Sequence, residues 1–308
     1  MHIGLIGLGR MGGNMSSRLR NAGIEVTGYD RNPETSQVAT LADLVEALPA
    51  PRIVWVMVPS GAPTRATIEQ LGELLSEGDL VIDGGNSHFS DDAQHAEMLA
   101  PKGIGYLDCG VSGGVWGLEN GYGLMVGGEA KLVDTAMPIF EALCPPGPRD
   151  EGFVHAGAVG AGHYAKMVHN GIEYGLMQAY AEGYELLDAK DIVTDVHGCF
   201  KAWTRGTVVR SWLLDLLVKS LDEDPKLAEI SGYVDDSGEG RWTIQEAIAN
   251  AVATPVMTAA LYARFVSRQD DSPAMKAVAA LRQQFGGHPV HAAHAADAGP
   301  SSGSGSTH

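Results

Sequence analysis

Short apolar runs alternate with longer amphipathic segments through the first half of the chain. This alternation is typical of strand–helix–strand units arranged around a parallel sheet. The runs that predict strands are HIGLIG, EVTGYD, RIVWVMV, DLVIDGG and IGYLDCGV, with GYGLMVGG and FVHAG expected to extend the sheet. The segments between them predict helices over 11–22, 36–48, 63–75 and 90–99.

The pattern changes after Gly157, where helical periodicity prevails and few runs resemble strands. Helices are predicted over 162–187, 192–205, 210–219, 243–250, 255–267 and 273–285. We therefore expect an α/β domain over 1–157 and an all-α domain over 158–290. The remaining stretch, 291–308, is small, polar and low in complexity, which predicts a disordered tail.

The net charge of the chain limits the kinds of molecule that are expected to bind to it. The 308 residues carry a formal net charge of −17, with an ordinary hydrophobic content of 44%. An electrostatic field of that sign repels nucleic acids and anionic membrane surfaces, so neither is expected as a partner. An anionic substrate would need a local cluster of cations that acts against this field.

Cysteine usage and the N-terminal pattern indicate a cytoplasmic protein. Cys109, Cys144 and Cys199 are too few and too scattered for a disulfide framework or a zinc site, so no metal is predicted. The first residues form a strand pattern without the features of a signal peptide. No apolar run is long enough to span a bilayer.

The stretch GLGRMG, between the first strand and the first helix, matches the G-x-G-x-x-G pattern of dinucleotide-binding proteins. Gly7 permits a tight turn, Gly9 lets a pyrophosphate approach the backbone, and Gly12 lets the helix pack close to the sheet. This context predicts a Rossmann-type fold for the first domain. The predicted cofactor contacts in the turn are Gly7, Leu8, Gly9, Arg10, Met11 and Gly12.

An acidic residue, Asp30, ends the second predicted strand in GYDRNPE. A carboxylate at this position accepts a hydrogen bond from the ribose 2′-hydroxyl of NAD and repels the 2′-phosphate of NADP. Arg31 could bind that phosphate, but Asp30 is expected nearer the ribose. The sequence therefore favours NAD, with NADP as the weaker alternative.

A polar stripe interrupts the otherwise apolar helix predicted over 160–178. At about 100° per residue, one side of this helix carries Lys166, His169, Asn170, Glu173 and Tyr174. Val168 and Ile172 are expected to point elsewhere, into packing. Lys166 and Glu173 are separated by roughly 10 Å of helix rise, too far for direct pairing. A polar ligand between them is the better interpretation, since buried charges require partners.

Several stretches together resemble the decarboxylating 6-phosphogluconate dehydrogenases, within the β-hydroxyacid dehydrogenase superfamily. In chain order they are GLIGLGRMGGN, DGGNS (83–87), GVSGG (110–114), KMVHNGIEYG (166–175), GEGRWT (238–243), YARF (262–265) and RQQFGGH (282–288). They cover nearly the whole chain up to Pro289. The chain is similar to the short bacterial branch of that family.

The resemblance implies NAD-dependent oxidation of 6-phosphogluconate to ribulose 5-phosphate and CO₂, with no metal. Lys166 would be the base that takes the hydroxyl proton, Glu173 would protonate the enediol, and Asn170 would belong to the catalytic group. Val58 and Asn86 would contact the cofactor. The implied substrate contacts are Asn86, Ser112, Gly113, Gly114, His169, Asn170, Tyr174, Arg264, Arg282 and His288.

The resemblance also implies an interlocked homodimer, in which Arg282 and His288 reach the neighbouring subunit's site and the helical domain serves substrate binding and dimerisation. One departure concerns Ser237, which stands where the long form of the family has a phosphate-binding lysine. Two alternatives stay open. One is a related β-hydroxyacid dehydrogenase such as 3-hydroxyisobutyrate dehydrogenase, and the other is a non-catalytic NAD-binding protein.

Overall fold

A computed structural model describes residues 1–286 and 289–291 of the chain. Its N-terminal part is built on a seven-stranded sheet of order β2-β1-β3-β4-β5-β6-β7. The strands are β1 (His2–Ile6), β2 (Glu25–Tyr29), β3 (Ile53–Val56), β4 (Leu80–Asp83), β5 (Gly105–Ser112), β6 (Gly123–Gly128) and β7 (Phe153–Gly157).

The first five strands are parallel, as the alternation predicts, but the whole sheet is not. Strand β6 pairs antiparallel with β5, and β7 is parallel to β6. Residues 113–122 connect β5 to β6, whereas a parallel crossover needs about a dozen residues or more. The sheet is therefore mostly parallel, with an antiparallel step between β5 and β6 that the strand–helix alternation did not predict.

Helices cover both faces of the sheet. They are α1 (Arg10–Asn21), α2 (Leu41–Glu46), α3 (Ala62–Leu74), α4 (Phe89–Leu99), α5 (Gly117–Asn120) and α6 (Ala130–Leu143). Helix α2 begins later than predicted, because the Thr40 side chain accepts a hydrogen bond from the Asp43 amide and forms a capping box there. The sequence analysis missed α6, although its residues Val133, Ile139 and Phe140 form a buried face.

Two apolar cores flank the sheet. One includes Ile3, Trp55 and Phe140, and the other includes Leu44, Ile68 and Leu71, all with 0% exposure. Strands buried on both faces read as continuous apolar runs, which explains why IVWV and LVID were recognisable. Packing in these two cores holds the strands in place, and the candidate functional site described below lies at the ends of those strands.

The second half of the described chain is helical. Its helices are α7 (Ala161–Asp188), α8 (Val196–Trp203), α9 (Trp212–Glu223), α10 (Glu239–Ala249), α11 (Pro255–Val266) and α12 (Pro273–Gly286). The α/β Rossmann-type part and the all-α part match the predicted fold class. Among the described residues, none of the helices combines the length and apolar character that a membrane crossing requires.

Helix α7 packs against the sheet and against α10 and α11, and so links the two halves. Helix α12 differs, because every residue from Pro273 to Gln284 is exposed. The predicted tail, 291–308, lies outside the described residues except for His291.

Candidate active site

A glycine turn opens a groove at the carboxyl ends of β1 and β2. Gly7 has φ +90°, and a Cβ there would overlap the Met57 carbonyl. A Cβ at Gly12 would overlap the Gly7 carbonyl, so α1 lies as close to the turn as backbone allows. A Cβ at Gly9 would meet no atom within 4 Å. The turn thus leaves an open approach to the start of α1, where backbone amides favour a phosphate.

Asp30 lies beside this turn. Its carboxylate accepts hydrogen bonds from the Leu8 amide at 2.6 Å and the Asn32 amide at 2.8 Å. A carboxylate offers about four lone-pair positions, so it can still accept a bond from a ribose hydroxyl. These amides hold Asp30 at the groove without removing its capacity to bind a dinucleotide.

The groove has a volume of about 500 Å³. Of the predicted cofactor contacts, the structure places Gly7, Gly9, Asp30, Arg31, Val58 and Asn86 in its lining. Leu8, Arg10, Met11 and Gly12 belong to the turn and to α1 rather than to the lining. Sequence reasoning missed Tyr29, Met57, Pro59, Pro63, Thr67 and Gly85. The segment from Met57 to Pro63 follows strand β3, so its position after a parallel strand was the available signal.

Helix α7 lies directly on strand β5. A Cβ at Gly110 would overlap the Lys166 side chain and approach the Gly162 carbonyl at 2.8 Å. A Cβ at Gly162 would come within 2.7 Å of an Asp108 carboxylate oxygen. Only glycine permits this close approach of helix and sheet. It brings Lys166 to the end of β5, beside the Ser112–Gly114 loop.

The polar stripe of α7 is joined by its own hydrogen bonds. Lys166 Nζ donates to Asn170 Oδ1, and His169 Nδ1 lies 3.0 Å from the same oxygen. His169 Nε2 lies 3.3 Å from Ser112 Oγ, while its Nδ1 is 3.8 Å from a Glu173 oxygen. Lys166 and Glu173 are therefore connected through Asn170 and His169 rather than by direct contact.

Burial lowers the pKa of Lys166, although the charges of Glu173 and Glu239 raise it. Removal of an ammonium from water disfavours its charged form, and here that effect outweighs the two carboxylates. The result is a lysine that loses its proton more readily than an exposed lysine. A neutral amine in this position can act as a proton acceptor.

A cavity of about 840 Å³ lies over this stripe. Among the predicted residues it is lined by Asn86, Ser112, Gly113, Gly114, Lys166, His169, Asn170 and Glu173. Asn86 also lines the dinucleotide groove. The groove and the cavity therefore meet at Asn86, which is the arrangement that transfer between a cofactor and a substrate requires.

The cavity also contains residues that sequence reasoning missed or misplaced. Val168 and Ile172 line it, and Ile172 is 51% exposed, so the expectation that they point into packing was wrong. The cavity covers a wider arc of α7 than the polar stripe alone. The missed lining residues from elsewhere are Val111, Val115, Trp116, Trp212, Leu213, Leu216 and Glu239.

Tyr174 and Arg264 lie together on another side of α7. The Tyr174 ring is buried, with the Arg264 guanidinium 3.5 Å from its centroid. Its hydroxyl accepts a hydrogen bond from the Ser237 amide at 3.2 Å, and Arg264 donates to the Asp235 carbonyl. Neither side chain is in the lining of the cavity.

Arg282 lies on the exposed helix α12 and is also outside the cavity lining. His288 lies outside the described residues. The structure of one chain thus gathers most of the predicted site and leaves Arg264, Tyr174 and Arg282 elsewhere.

One turn before Lys166, a second polar cluster is fully buried. His163 Nδ1 bonds Asp92 at 2.9 Å, and the Tyr106 hydroxyl donates to Asp92 at 2.8 Å. Asp108 accepts from the Gly160 and His163 amides at 2.6 and 2.9 Å. Asp92, Asp108 and His163 are close enough to hold a metal ion, but protein donors already occupy the carboxylate oxygens. The carboxylates are therefore satisfied by protein donors, whereas His163 Nε2 has no partner among the described residues.

The charge state of this cluster follows from its burial. Burial alone would lower the pKa of His163, but Asp92, helped by Asp83 and Asp108, raises it to about 9. Burial raises the pKa of Asp92 to about 6, against the opposing effect of His163. At neutral pH the pair is therefore ionised, and it joins α4 to the first turn of α7.

Two family models match the chain. The NAD binding domain of 6-phosphogluconate dehydrogenase matches residues 2–146, and the C-terminal domain of 6-phosphogluconate dehydrogenase matches residues 162–297. Together they span the dinucleotide groove and the helical half.

Individual proteins are also similar to the chain in sequence or in structure. The chain is 41% identical over 300 residues to the NAD(+)-dependent, decarboxylating 6-phosphogluconate dehydrogenase of Haloferax volcanii, covering 94% of this chain and 98% of that protein. The solved structure of Plasmodium falciparum 6-phosphogluconate dehydrogenase matches with a TM-score of 0.80 and 27% identity over 96% of this chain and 67% of that one. Mycobacterium tuberculosis 3-hydroxyisobutyrate dehydrogenase has a TM-score of 0.69 at 24% identity over 91% of this chain and 99% of that one, a likeness of fold alone.

Proposed function

The chain belongs to the 6-phosphogluconate dehydrogenase family, and from that premise we propose that it oxidises and decarboxylates 6-phosphogluconate to ribulose 5-phosphate with NAD. One observation carries the proposal: a dinucleotide groove and a cavity containing Lys166 and Glu173 meet at Asn86. The name of the Haloferax relative includes NAD dependence and decarboxylation, and Asp30 in the groove supports the same cofactor.

The groove residues fit NAD. The open approach at Gly9 and the start of α1 suit the pyrophosphate, and Asp30 suits an unphosphorylated ribose. NAD, when bound, supplies the two-electron acceptor for the C3–H bond of the substrate. Asn86, at the junction, would hold the substrate carbon chain against that end of the groove.

Lys166 would take the proton of the substrate C3 hydroxyl. Burial lowers its pKa, so a larger fraction of the amine is neutral than in an exposed lysine. Once protonated, the ammonium can donate a hydrogen bond to the ketone oxygen and stabilise the negative charge that develops during loss of CO₂. Asn170, bonded to Lys166 Nζ, fixes the direction of that side chain.

After substrate C1 leaves as CO₂, Glu173 would donate a proton to the former C2, which is C1 of the enediol and of the product. Its side chain is 38% exposed within the single chain and lies in the lining of the cavity. His169, between Glu173 and the Asn170–Lys166 pair, would keep the two proton-transfer groups apart while orienting both. Ser112 in turn positions His169, and the Gly113–Gly114 backbone completes the contact surface for the substrate.

The test is an assay of the purified chain with 6-phosphogluconate and each cofactor, in which reduced cofactor and CO₂ are measured together. We expect equal amounts of both products and a higher kcat/KM with NAD than with NADP. Turnover of 3-hydroxyisobutyrate, but not of 6-phosphogluconate, would overturn the substrate. Affinity for NAD without turnover of any hydroxy acid would indicate a binding protein.

We also propose a homodimer whose active sites are shared. Helix α12 carries an exposed apolar stripe of Met275, Val278 and Leu281, with 61%, 45% and 63% exposure. A stripe at this spacing on a helix normally packs against another surface. Arg282 follows it directly, so a partner that covers the stripe would receive Arg282 near its own cavity. The three free cysteines suit a cytoplasmic enzyme.

Mixed dimers test the sharing of sites. Lys166→Met chains and Arg282→Ala chains, each inactive alone, are mixed and allowed to exchange subunits. We expect recovery of about a quarter of wild-type activity, because half of the dimers are mixed and each mixed dimer has one intact site. Verified exchange without any recovery would mean that Arg282 serves its own chain.

A further inference from the structure

Glu239 occupies an unusual position for a charged side chain. It begins helix α10 directly after Gly238, which has φ +101°, and only 4% of it is exposed. The Thr243 hydroxyl donates to the Glu239 carbonyl at 2.8 Å and to the Met167 carbonyl of α7 at 2.9 Å. These bonds anchor the start of α10 on α7, so the position of Glu239 relative to Lys166 is fixed by the backbone.

The two carboxylate oxygens of Glu239 differ in their partners. Oε1 accepts a hydrogen bond from the Asn86 amide group. Oε2 is buried, and among residues 1–286 and 289–291 no donor reaches it. A buried carboxylate oxygen without a donor is unfavourable, and such atoms are uncommon in folded proteins.

The ammonium group of Lys166 does not donate a hydrogen bond to this oxygen. Within the described chain, Lys166 and Glu239 form no ion pair within 4.0 Å, and Lys166 Nζ donates to Asn170 instead. Glu239 nevertheless lies in the lining of the same cavity as Lys166 and raises its pKa. Glu239 therefore lies at the cavity with one carboxylate oxygen free, while the ammonium of Lys166 bonds Asn170.

The proposed function limits what could bind there. A sugar-acid phosphate carries a carboxylate, a phosphate and several hydroxyl groups. At neutral pH the first two are negatively charged acceptors that a carboxylate repels, whereas each hydroxyl can donate. Resting on that proposed function, we propose that Glu239 determines specificity by accepting a hydrogen bond from a hydroxyl of the substrate's polyol chain, while its other oxygen holds Asn86 in place.

This assignment also orients the substrate. The polyol chain would pass the Asn86–Glu239 side of the cavity, where the dinucleotide groove begins. The charged ends would lie away from Glu239. Asn86 and Glu239 would thus act together. One oxygen of Glu239 holds the Asn86 amide in place, and the other would accept a hydrogen bond from the substrate.

The experiment combines enzyme variants with substrate analogues. Wild-type enzyme, Glu239→Ala and Glu239→Gln are assayed with 6-phosphogluconate and with its 2-deoxy, 4-deoxy and 5-deoxy analogues. The control is Glu246→Gln on the same helix, whose carboxylate accepts a hydrogen bond from the Asn250 side chain and, in the described part of the chain, from no other group. NAD affinity and thermal unfolding of each variant establish that the protein is folded, and the isosteric Gln variant keeps an acceptor for Asn86 if the Ala variant unfolds.

We expect one deoxy analogue to lose about 10- to 100-fold in kcat/KM with wild type, the effect of removing a hydrogen bond to a charged group. In the Glu239 variants that same analogue should lose less than about threefold relative to 6-phosphogluconate, and the control should match wild type. Equal discrimination by wild type and the Glu239 variants would overturn the role of Glu239. Failure of wild type to oxidise 6-phosphogluconate would instead reject the proposed function, before any variant is compared.

Discussion

Two polar clusters on helix α7, one turn apart, have similar ingredients and opposite character. In the buried cluster, Asp92 and Asp108 accept bonds from His163, Tyr106 and backbone amides, so each carboxylate oxygen has a protein donor. In the cavity cluster, one Glu239 oxygen has no donor among the described residues. The Glu173 carboxylate lies 3.8 Å from His169 Nδ1, which is longer than a hydrogen bond. Carboxylates that already have protein donors stabilise a fold, whereas a carboxylate that lacks a donor at a cavity can bind a ligand.

Loss of the cavity lysine should have the largest effect. Lys166→Met removes the proton acceptor, and we expect kcat to fall by about 10²- to 10⁴-fold, the usual contribution of a general base. NAD affinity, measured by titration, should stay near that of wild type. Lys131→Met on the exposed surface of α6 is the control and should keep full activity. Near-normal turnover by Lys166→Met would contradict a catalytic role for the cavity cluster.

In the buried cluster, a substitution should change stability instead. Asp92→Asn leaves His163 buried without its counter-charge, and we expect a loss of about 3 kcal/mol in the free energy of unfolding near pH 6.5. Urea unfolding measures this loss. The neighbouring Asp91→Asn, which is only partly buried, should cost much less.

The same variant should show a pH dependence of known sign. The pKa of His163 is raised to about 9 in the folded wild type, so its stabilisation is present below the unfolded pKa of roughly 6.5 and lost as the pH rises through about 9. The stability difference between wild type and Asp92→Asn should therefore shrink between pH 7 and pH 10. A difference that grew over this range would contradict an ionised Asp92–His163 pair.

A smaller change in rate is expected at the second proton-transfer group. Glu173→Gln cannot protonate C1 of the enediol, and we expect kcat to fall by about 10²-fold, the lower end of the contribution of a general acid, while NAD affinity is unchanged. Formation of ribulose 5-phosphate, followed together with CO₂, measures this step. Glu182→Gln, at an exposed position on α7, is a matched control. Unchanged product formation would leave Glu173 without a role in the reaction.

The smallest effect should be a shift in the pH profile. Activity requires neutral Lys166, so the acidic limb of kcat/KM should follow the Lys166 pKa. Glu239 raises that pKa, and Glu239→Gln should therefore move the limb to lower pH. Glu246→Gln should leave the limb in place. Movement to higher pH would show that Glu239 does not act on Lys166 through its charge.

The sequence predicted those parts that depend on local patterns. The glycine turn, the strand-end residue Asp30 and the stripe of α7 could be recognised from residue type and spacing, whereas Asn86 was identified only through the family resemblance. Helix α6 was missed although its apolar positions are periodic, and the reversal at β6 was missed because strand direction depends on a loop rather than on the strand itself.

Contacts between distant segments were harder to predict. Trp116, Trp212 and Glu239 reach the cavity from three different elements, and no short motif brings them together. Tyr174 lies about 80° around the helix from Lys166, at the edge of the predicted stripe. Helices α10 and α11 cover that edge, so Tyr174 packs there with Arg264 instead of facing the cavity.

The glycine contact between β5 and α7 has a mechanical consequence. Because Gly110 and Gly162 let the backbones of β5 and α7 come into contact, Lys166 is held against the sheet even though it belongs to a helix of the second half. Trp212 and Leu216 line the cavity from α9, whereas Lys166 and Asn86 lie at the sheet side of it. Displacement of α9 alone would therefore change the width of the cavity without changing the position of Lys166 relative to the Asn86 end of the groove.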